Sequence, residues 1–193
     1  MTRKFKRPVK AIFIGGSAGG VTAYNTIFKT LPDNFKIPII AVLHVGDQDF
    51  IPTAFKTPKG MVLKEADEKE PILPGHIYFA PAGYHLLIEE DFTFSLSTEE
   101  KVQYARPSLD VTMETAAHAY KSELVGIVLT GANEDGANGL MMIKKRNGIT
   151  IAQNPKEAEY DTMPNAAIKK ASPDFIFTLA EIVAYLSQLE GIL

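Results

Sequence analysis

The chain has 193 residues, 46% of them hydrophobic, and a formal net charge of −3. That suffices for one well-packed domain, and gives no strong electrostatic drive toward nucleic acid or an anionic membrane. With no cysteine, disulfides, thiolate catalysis and Cys-type zinc sites are excluded, and no apolar run is long enough for membrane insertion.

The first apolar run, residues 9–14, predicts a strand that stops at Gly15-Gly16-Ser17-Ala18-Gly19-Gly20. A helix is expected next, over 21–31, then a strand over 37–43 that ends at His44. Further strand-like runs lie at 77–80, 86–89 and 92–96, the last two reading as a hairpin that turns near Glu90 and Asp91. A helix over 108–121 precedes a strand over 124–129 and a helix over 136–147. Strands at 149–152 and 175–177 alternate with helices at 164–171 and 179–189. Several strand runs are continuously apolar, as in strands buried on both faces. The expected fold is α/β: a doubly wound, mostly parallel sheet with an antiparallel hairpin as an insertion or sheet edge. With no repeat or linker in view, residues 1–193 read as one domain.

Three local signals refine this. Ser108 stands at an N-cap position, with Asp110 in the first turn behind it. Asn147-Gly148 supplies an αL-permissive helix end.

Strand, sharp glycine turn and helix form the setting in which G-x-S-x-G becomes a nucleophile elbow. The same setting also binds phosphate, so the turn alone leaves both uses open. A serine hydroxyl needs a base, usually histidine, oriented by a carboxylate. Of the four histidines, His44 leaves a buried strand at its C-terminal end, where active sites of open α/β sheets gather. His85, in the loop after another strand, is placed to reach the same cleft. His76 precedes a strand and belongs to the opposite edge, and His118 lies inside a helix. Asp135 comes after the strand over 124–129; by itself such a residue is more often a helix cap. Ser17, His44 and Asp135 would nevertheless each come after a strand of one sheet. Their chain order, Ser-His-Asp, is not that of the common α/β-hydrolases.

A set of short motifs resembles the catalytic domain of the bacterial chemotaxis protein-glutamate methylesterases, the CheB family. They are Ile14-Gly-Gly-Ser-Ala-Gly-Gly20, His44, Leu73-Pro-Gly-His-Ile-Tyr-Phe-Ala-Pro-Ala-Gly-Tyr-His85, Arg106-Pro-Ser-Leu-Asp110, Leu129-Thr-Gly-Ala-Asn-Glu-Asp-Gly-Ala137, Gly148-Ile-Thr-Ile-Ala-Gln153 and Met163-Pro-Asn-Ala-Ala167. The resemblance implies a serine hydrolase that removes methyl esters from glutamates on chemoreceptor helices, and commonly deamidates glutamines there. It implies Ser17 as nucleophile, His44 as base and Asp135 as orienting carboxylate, without metal or cofactor. Backbone N–H groups of Ala18 and Ala132 are the implied oxyanion donors. Tyr84, His85, Tyr104 and Arg106, in loops near the expected edge, are candidates for docking the receptor helix. The expected location is cytoplasmic, with no receiver domain ahead of the first strand.

The chain also departs from the family pattern. Ala132 stands where Met is usual, Leu43-His-Val-Gly46 replaces Gln-His-Met-Pro, Ala18 replaces Thr, and Thr162 replaces a Gly. These changes fall on the cleft wall and leave the triad residues in place. They keep two rivals open: a serine hydrolase with another acyl substrate, and a relative that binds signalling partners without turnover. A phosphate-binding module is the remaining rival, but the glycines fit neither G-x-x-x-x-G-K-[ST] nor G-x-G-x-x-G.

Overall fold

The computed structural model describes residues 8–44 and 52–189. Seven parallel strands form the central sheet: β1 (Ala11–Gly16), β2 (Ile39–Leu43), β3 (Val62–Glu65), β4 (His76–Phe79), β7 (Leu124–Val128), β8 (Ile149–Gln153) and β9 (Phe175–Phe177). Their order is β3-β4-β2-β1-β7-β8-β9. The hairpin of β5 (His85–Ile88) and β6 (Phe94–Ser97) forms a second, two-stranded antiparallel sheet. It packs on α2 (Leu109–Tyr120), where the Ile88 N–H donates to Thr115 Oγ1 at 3.1 Å. The hairpin is thus an insertion on one face, not an edge of the main sheet.

β1 shows why the sheet is central. Ile12 and Ile14 enter the apolar cluster on one face, with Tyr24, Ile27 and Phe28 of α1 (Gly20–Phe28) and Ile182 and Leu186 of α5 (Leu179–Leu189). Ala11 and Phe13 enter the opposite cluster, with Met113 of α2, Leu140 and Ile143 of α3 (Ala137–Lys145) and Met163 and Ala167 of α4 (Thr162–Ala171). The period-2 alternation of a strand serves two apolar faces at once, so the run carries no polar residue. Burying each of these Ile and Phe side chains contributes about 2 kcal/mol.

β3 is the strand that sequence patterning misses. It lies at the sheet edge, reads Val-Leu-Lys-Glu, and is only partly buried. Lys64 there carries two carboxylate partners, Asp67 at 2.8 Å and Glu70 at 2.9 Å. A charged edge strand blunts edge-to-edge pairing and erases the apolar signature at the same time.

The connection after β1 covers one face of the sheet and the connection after β7 covers the other. β1 and β7 are neighbours, so the crevice at their C-terminal ends is the topological switch point, where open α/β sheets bind ligands.

Candidate active site

Register brings the site together. Gly16 of β1 pairs with Leu43 of β2, and the His44 N–H donates to Gly16 O at 3.1 Å. On the other side the Ser17 N–H donates to Thr130 O at 3.0 Å. Ser17, His44 and the loop carrying Asp135 therefore leave three adjacent strands at one height. Ser17 begins the turn into α1, whose N-cap Gly19 sits at φ 75°, a left-handed conformation that costs glycine little. Gly131 is needed for closeness: a Cβ there would fall 3.0 Å from Ser17 Cβ and 2.7 Å from Met163 Cε.

Asp135 is fully buried and heavily bonded. Its carboxylate accepts from Ser108 Oγ at 2.9 Å, the Leu109 N–H at 2.7 Å, and the Asp110 and Gly136 N–H groups at 3.0 Å each. Asp135 thus caps the N-terminus of α2, a helix distant in sequence. Ser108 holds the N-cap position of α2, but its side chain bonds Asp135 rather than its own helix. Asp110 returns the arrangement: it accepts the Gly139 N–H of α3 at 2.7 Å. The two helices exchange carboxylate caps, which locks the Asp135 loop against α2.

His44 Nε2 lies 3.1 Å from Asp135 Oδ2. The distance is that of a hydrogen bond, but the N–H does not point squarely at the oxygen, so the contact is close rather than well aligned. Catalytic hydrogen bonds commonly tighten only around substrate. Burial by itself raises the Asp135 pKa; the His44 ring and the Asp110 and Leu109 N–H groups outweigh it and hold the carboxyl below its usual range. For Asp110 burial wins, and its carboxyl is raised.

A cleft of about 480 Å³ opens over these groups. Ser17, His44 and Asn133 line its floor, and Lys101, Tyr104 and Arg106 line it from the loop after β6. That loop is a tight turn, closed by reciprocal backbone bonds between Val102 and Ala105 at 3.1 and 2.9 Å, with Gln103 and Tyr104 at positive φ. Tyr104 stands at its tip, 97% exposed. Arg106 Nη1 holds Thr98 O and Glu99 O at 2.8 and 2.9 Å; its Nε has no protein partner among the described residues. Neither the Ala18 nor the Ala132 N–H has a protein acceptor among the described residues. Val45 and Gly46, two of the residues where the wall departs from the family pattern, lie outside them.

One expectation needs correction. His85 is no docking residue: it is 2% exposed, begins β5, accepts the Ser108 N–H at Nδ1 (3.3 Å) and faces Glu100 O with Nε2 (3.0 Å). It holds the start of α2 in place. Tyr84 is exposed but does not line the cleft. Asn133 is the site residue that sequence reasoning passed over. Its signal was available: an Asn two residues before Asp135 is an Asx-turn pattern, and Asn133 Oδ1 does accept the Asp135 N–H at 3.0 Å.

The CheB methylesterase family model matches residues 12–186. The chain belongs to the CheB methylesterase family. A CheB-type relative from Leptospira interrogans, named a putative protein-glutamate methylesterase/protein-glutamine glutaminase, is 46% identical over 184 residues, covering 94% of this chain and 95% of that protein. A protein-glutamate methylesterase/protein-glutamine glutaminase from Thermotoga maritima is 30% identical over 93% of this chain, which spans 54% of that CheB protein's length. The crystal structure of the Thermotoga maritima CheB methylesterase catalytic domain superposes with a TM-score of 0.87 at 30% identity, over 95% of this chain and all of that one. The doubly wound sheet expected from the pattern is the CheB catalytic fold.

Proposed function

We propose that this chain is a protein-glutamate methylesterase in which Ser17 is the nucleophile, His44 the base and Asp135 the carboxylate that orients it. The observation that carries this reading is the meeting of three strand ends at the switch point, with His44 Nε2 3.1 Å from the buried Asp135 carboxylate and with Ser17 and His44 both lining the cleft. Because Nε2 faces Asp135, the base nitrogen is Nδ1. Ser17 Oγ attacks the ester carbonyl carbon and its proton passes to Nδ1. The tetrahedral oxyanion is held by the Ala18 and Ala132 N–H groups, at about 3 kcal/mol per donor, beside the positive N-terminal end of α1. His44 then gives its proton to the leaving methoxide, methanol departs, and water hydrolyses the glutamyl-enzyme by the same steps. Attack on a glutamine amide releases ammonia instead, which accounts for the double name that the relatives carry.

The proposed substrate is a methylated glutamate on a chemoreceptor helix, docked across the cleft against Tyr104 and Arg106. The two differ in kind. Tyr104 is free to stack on a partner, whereas Arg106 also pins its own loop. Tyr104→Ala should therefore raise KM for a methylated receptor fragment about five- to tenfold, as loss of an aromatic anchor of 1–1.5 kcal/mol would. It should leave hydrolysis of p-nitrophenyl acetate unchanged. An equal loss on both substrates would remove Tyr104 from the docking surface. Ready turnover of the small ester with none of the receptor would make the protein a general esterase.

A further inference from the structure

Asn133 is tied at both ends of its amide. Its Oδ1 accepts the Asp135 N–H at 3.0 Å, and this fixes which arm of the amide is oxygen. Its Nδ2 accordingly faces His44 Nδ1 at 3.2 Å. The other ring nitrogen, Nε2, lies 3.1 Å from Asp135 Oδ2. A carboxylate can only accept and an amide NH2 can only donate. The Asn133 NH2 thus requires the lone pair on Nδ1, which leaves the neutral ring's proton on Nε2, the nitrogen that faces Asp135.

We infer that Asn133 is a positioning residue, holding His44 as the neutral Nε2–H tautomer and covering the Nδ1 lone pair until Ser17 displaces its NH2. The inference deepens the esterase reading and rests on it for the role of His44. The amide does two things. It fixes the ring flip by bonding the nitrogen that Ser17 must use. It also opposes protonation there: once Ser17 has given its proton to Nδ1, two N–H donors face each other and the amide must turn aside. Asp135 favours the imidazolium and Asn133 disfavours it, so the ring takes a proton only transiently and returns it to the leaving group. Among the described residues, the other titratable or charged groups lining the cleft are Ser17, Lys101, Tyr104 and Arg106.

Two variants isolate the ring contact from the turn. Asn133→Asp keeps the shape and the acceptor for the Asp135 N–H, but offers the ring an acceptor instead of a donor. Asn133→Ser keeps a short acceptor for the turn and does not reach the ring. With Asn133→Asp, kcat/KM at neutral pH should fall about tenfold or more, and its acidic limb should move up by about one pH unit. With Asn133→Ser, kcat should fall about threefold at nearly constant KM, roughly the effect of one neutral hydrogen bond. The ring can be read without any turnover: in the wild type, 15N NMR of His44 should show Nδ1 unprotonated and Nε2 protonated at neutral pH. Asn133→Asp should put a proton on Nδ1. If the wild-type tautomer is as stated but no ester is hydrolysed, the esterase reading fails and the positioning stands. A wild-type ring protonated on Nδ1, or an Asn133→Asp variant with unchanged ring spectrum and unchanged pH limb, overturns it. Should the Asp variant not fold, the wild-type tautomer and the Ser variant decide.

Discussion

Ser17→Ala and His44→Ala should each lower ester hydrolysis on the order of 10⁴-fold or more, and the double variant should be little worse than either. The expectation rests on their interdependence. Without His44 the Ser17 hydroxyl keeps its proton and is a poor nucleophile. Without Ser17 the ring has no proton to take. The oxyanion site and the cleft survive in either case. Neither change should cost much stability. Ser17 and His44 lie at the ends of β1 and β2 with their backbones bonded to Thr130 and Gly16, and those bonds do not involve the side chains. A thermal melt within a few degrees of wild type, alongside lost turnover, is the expected pair of results. Losses that multiply in the double variant would show that the two residues do not act as one unit.

Asp135→Asn should differ by damaging both activity and stability. The carboxylate accepts from four donors, Ser108 Oγ and the N–H groups of Leu109, Asp110 and Gly136, while facing His44. An amide replaces one accepting oxygen by an NH2 that must point at donors. At least one buried N–H or O–H then loses its partner, at about 1–3 kcal/mol each, and α2 loses part of its cap. A loss of about 3 kcal/mol lowers Tm by roughly 10 °C for a chain of this size. The ring also loses the partner that fixes its tautomer and supports its charged form. A fall in kcat on the order of 10³–10⁴ is expected. The lowered carboxyl sets the sign of the pH effect. A depressed folded pKa contributes stability that is complete above the unfolded pKa and disappears as pH falls through the folded value. Wild type should therefore lose stability on acidification below the usual carboxylate range, and Asp135→Asn should lose less. Asp110, whose carboxyl is raised, works in the opposite direction and at higher pH, between its raised value and the usual carboxylate range. Urea melts at neutral and acid pH measure the difference. An acid slope that is the same in wild type and Asp135→Asn would contradict the assignment of the buried charge to Asp135.

Much of this site is legible from the sequence for one reason: a parallel sheet converts chain position into spatial position. Continuous apolar runs mark β1, β2 and β7, and the residues that leave the C-terminal end of each run must lie on one edge. That logic places Ser17, His44 and Asp135 without any knowledge of their separation. It fails where position along a strand is not the controlling fact. β3 is invisible because an edge strand need not be apolar. His85 misleads because a histidine just after Gly83-Tyr84 reads as loop, whereas its ring is consumed by the backbone at Glu100 and Ser108. The exchange of caps between α2 and α3 depends on how two helices pack, which no local pattern encodes. Asp135 is a helix cap as well as the neighbour of the histidine, but the helix it caps is α2 and not the one that follows it in sequence; a carboxylate has enough lone pairs for both uses.

The central claim is that Ser17 hydrolyses a glutamyl methyl ester on a receptor. Incubation of the protein with a methylated chemoreceptor fragment and measurement of released methanol tests it directly, with Ser17→Ala as control. Steady methanol release by the wild type and none above background by Ser17→Ala is the predicted result. Equal release by both proteins, or none by the wild type over a range of receptor fragments, would contradict it.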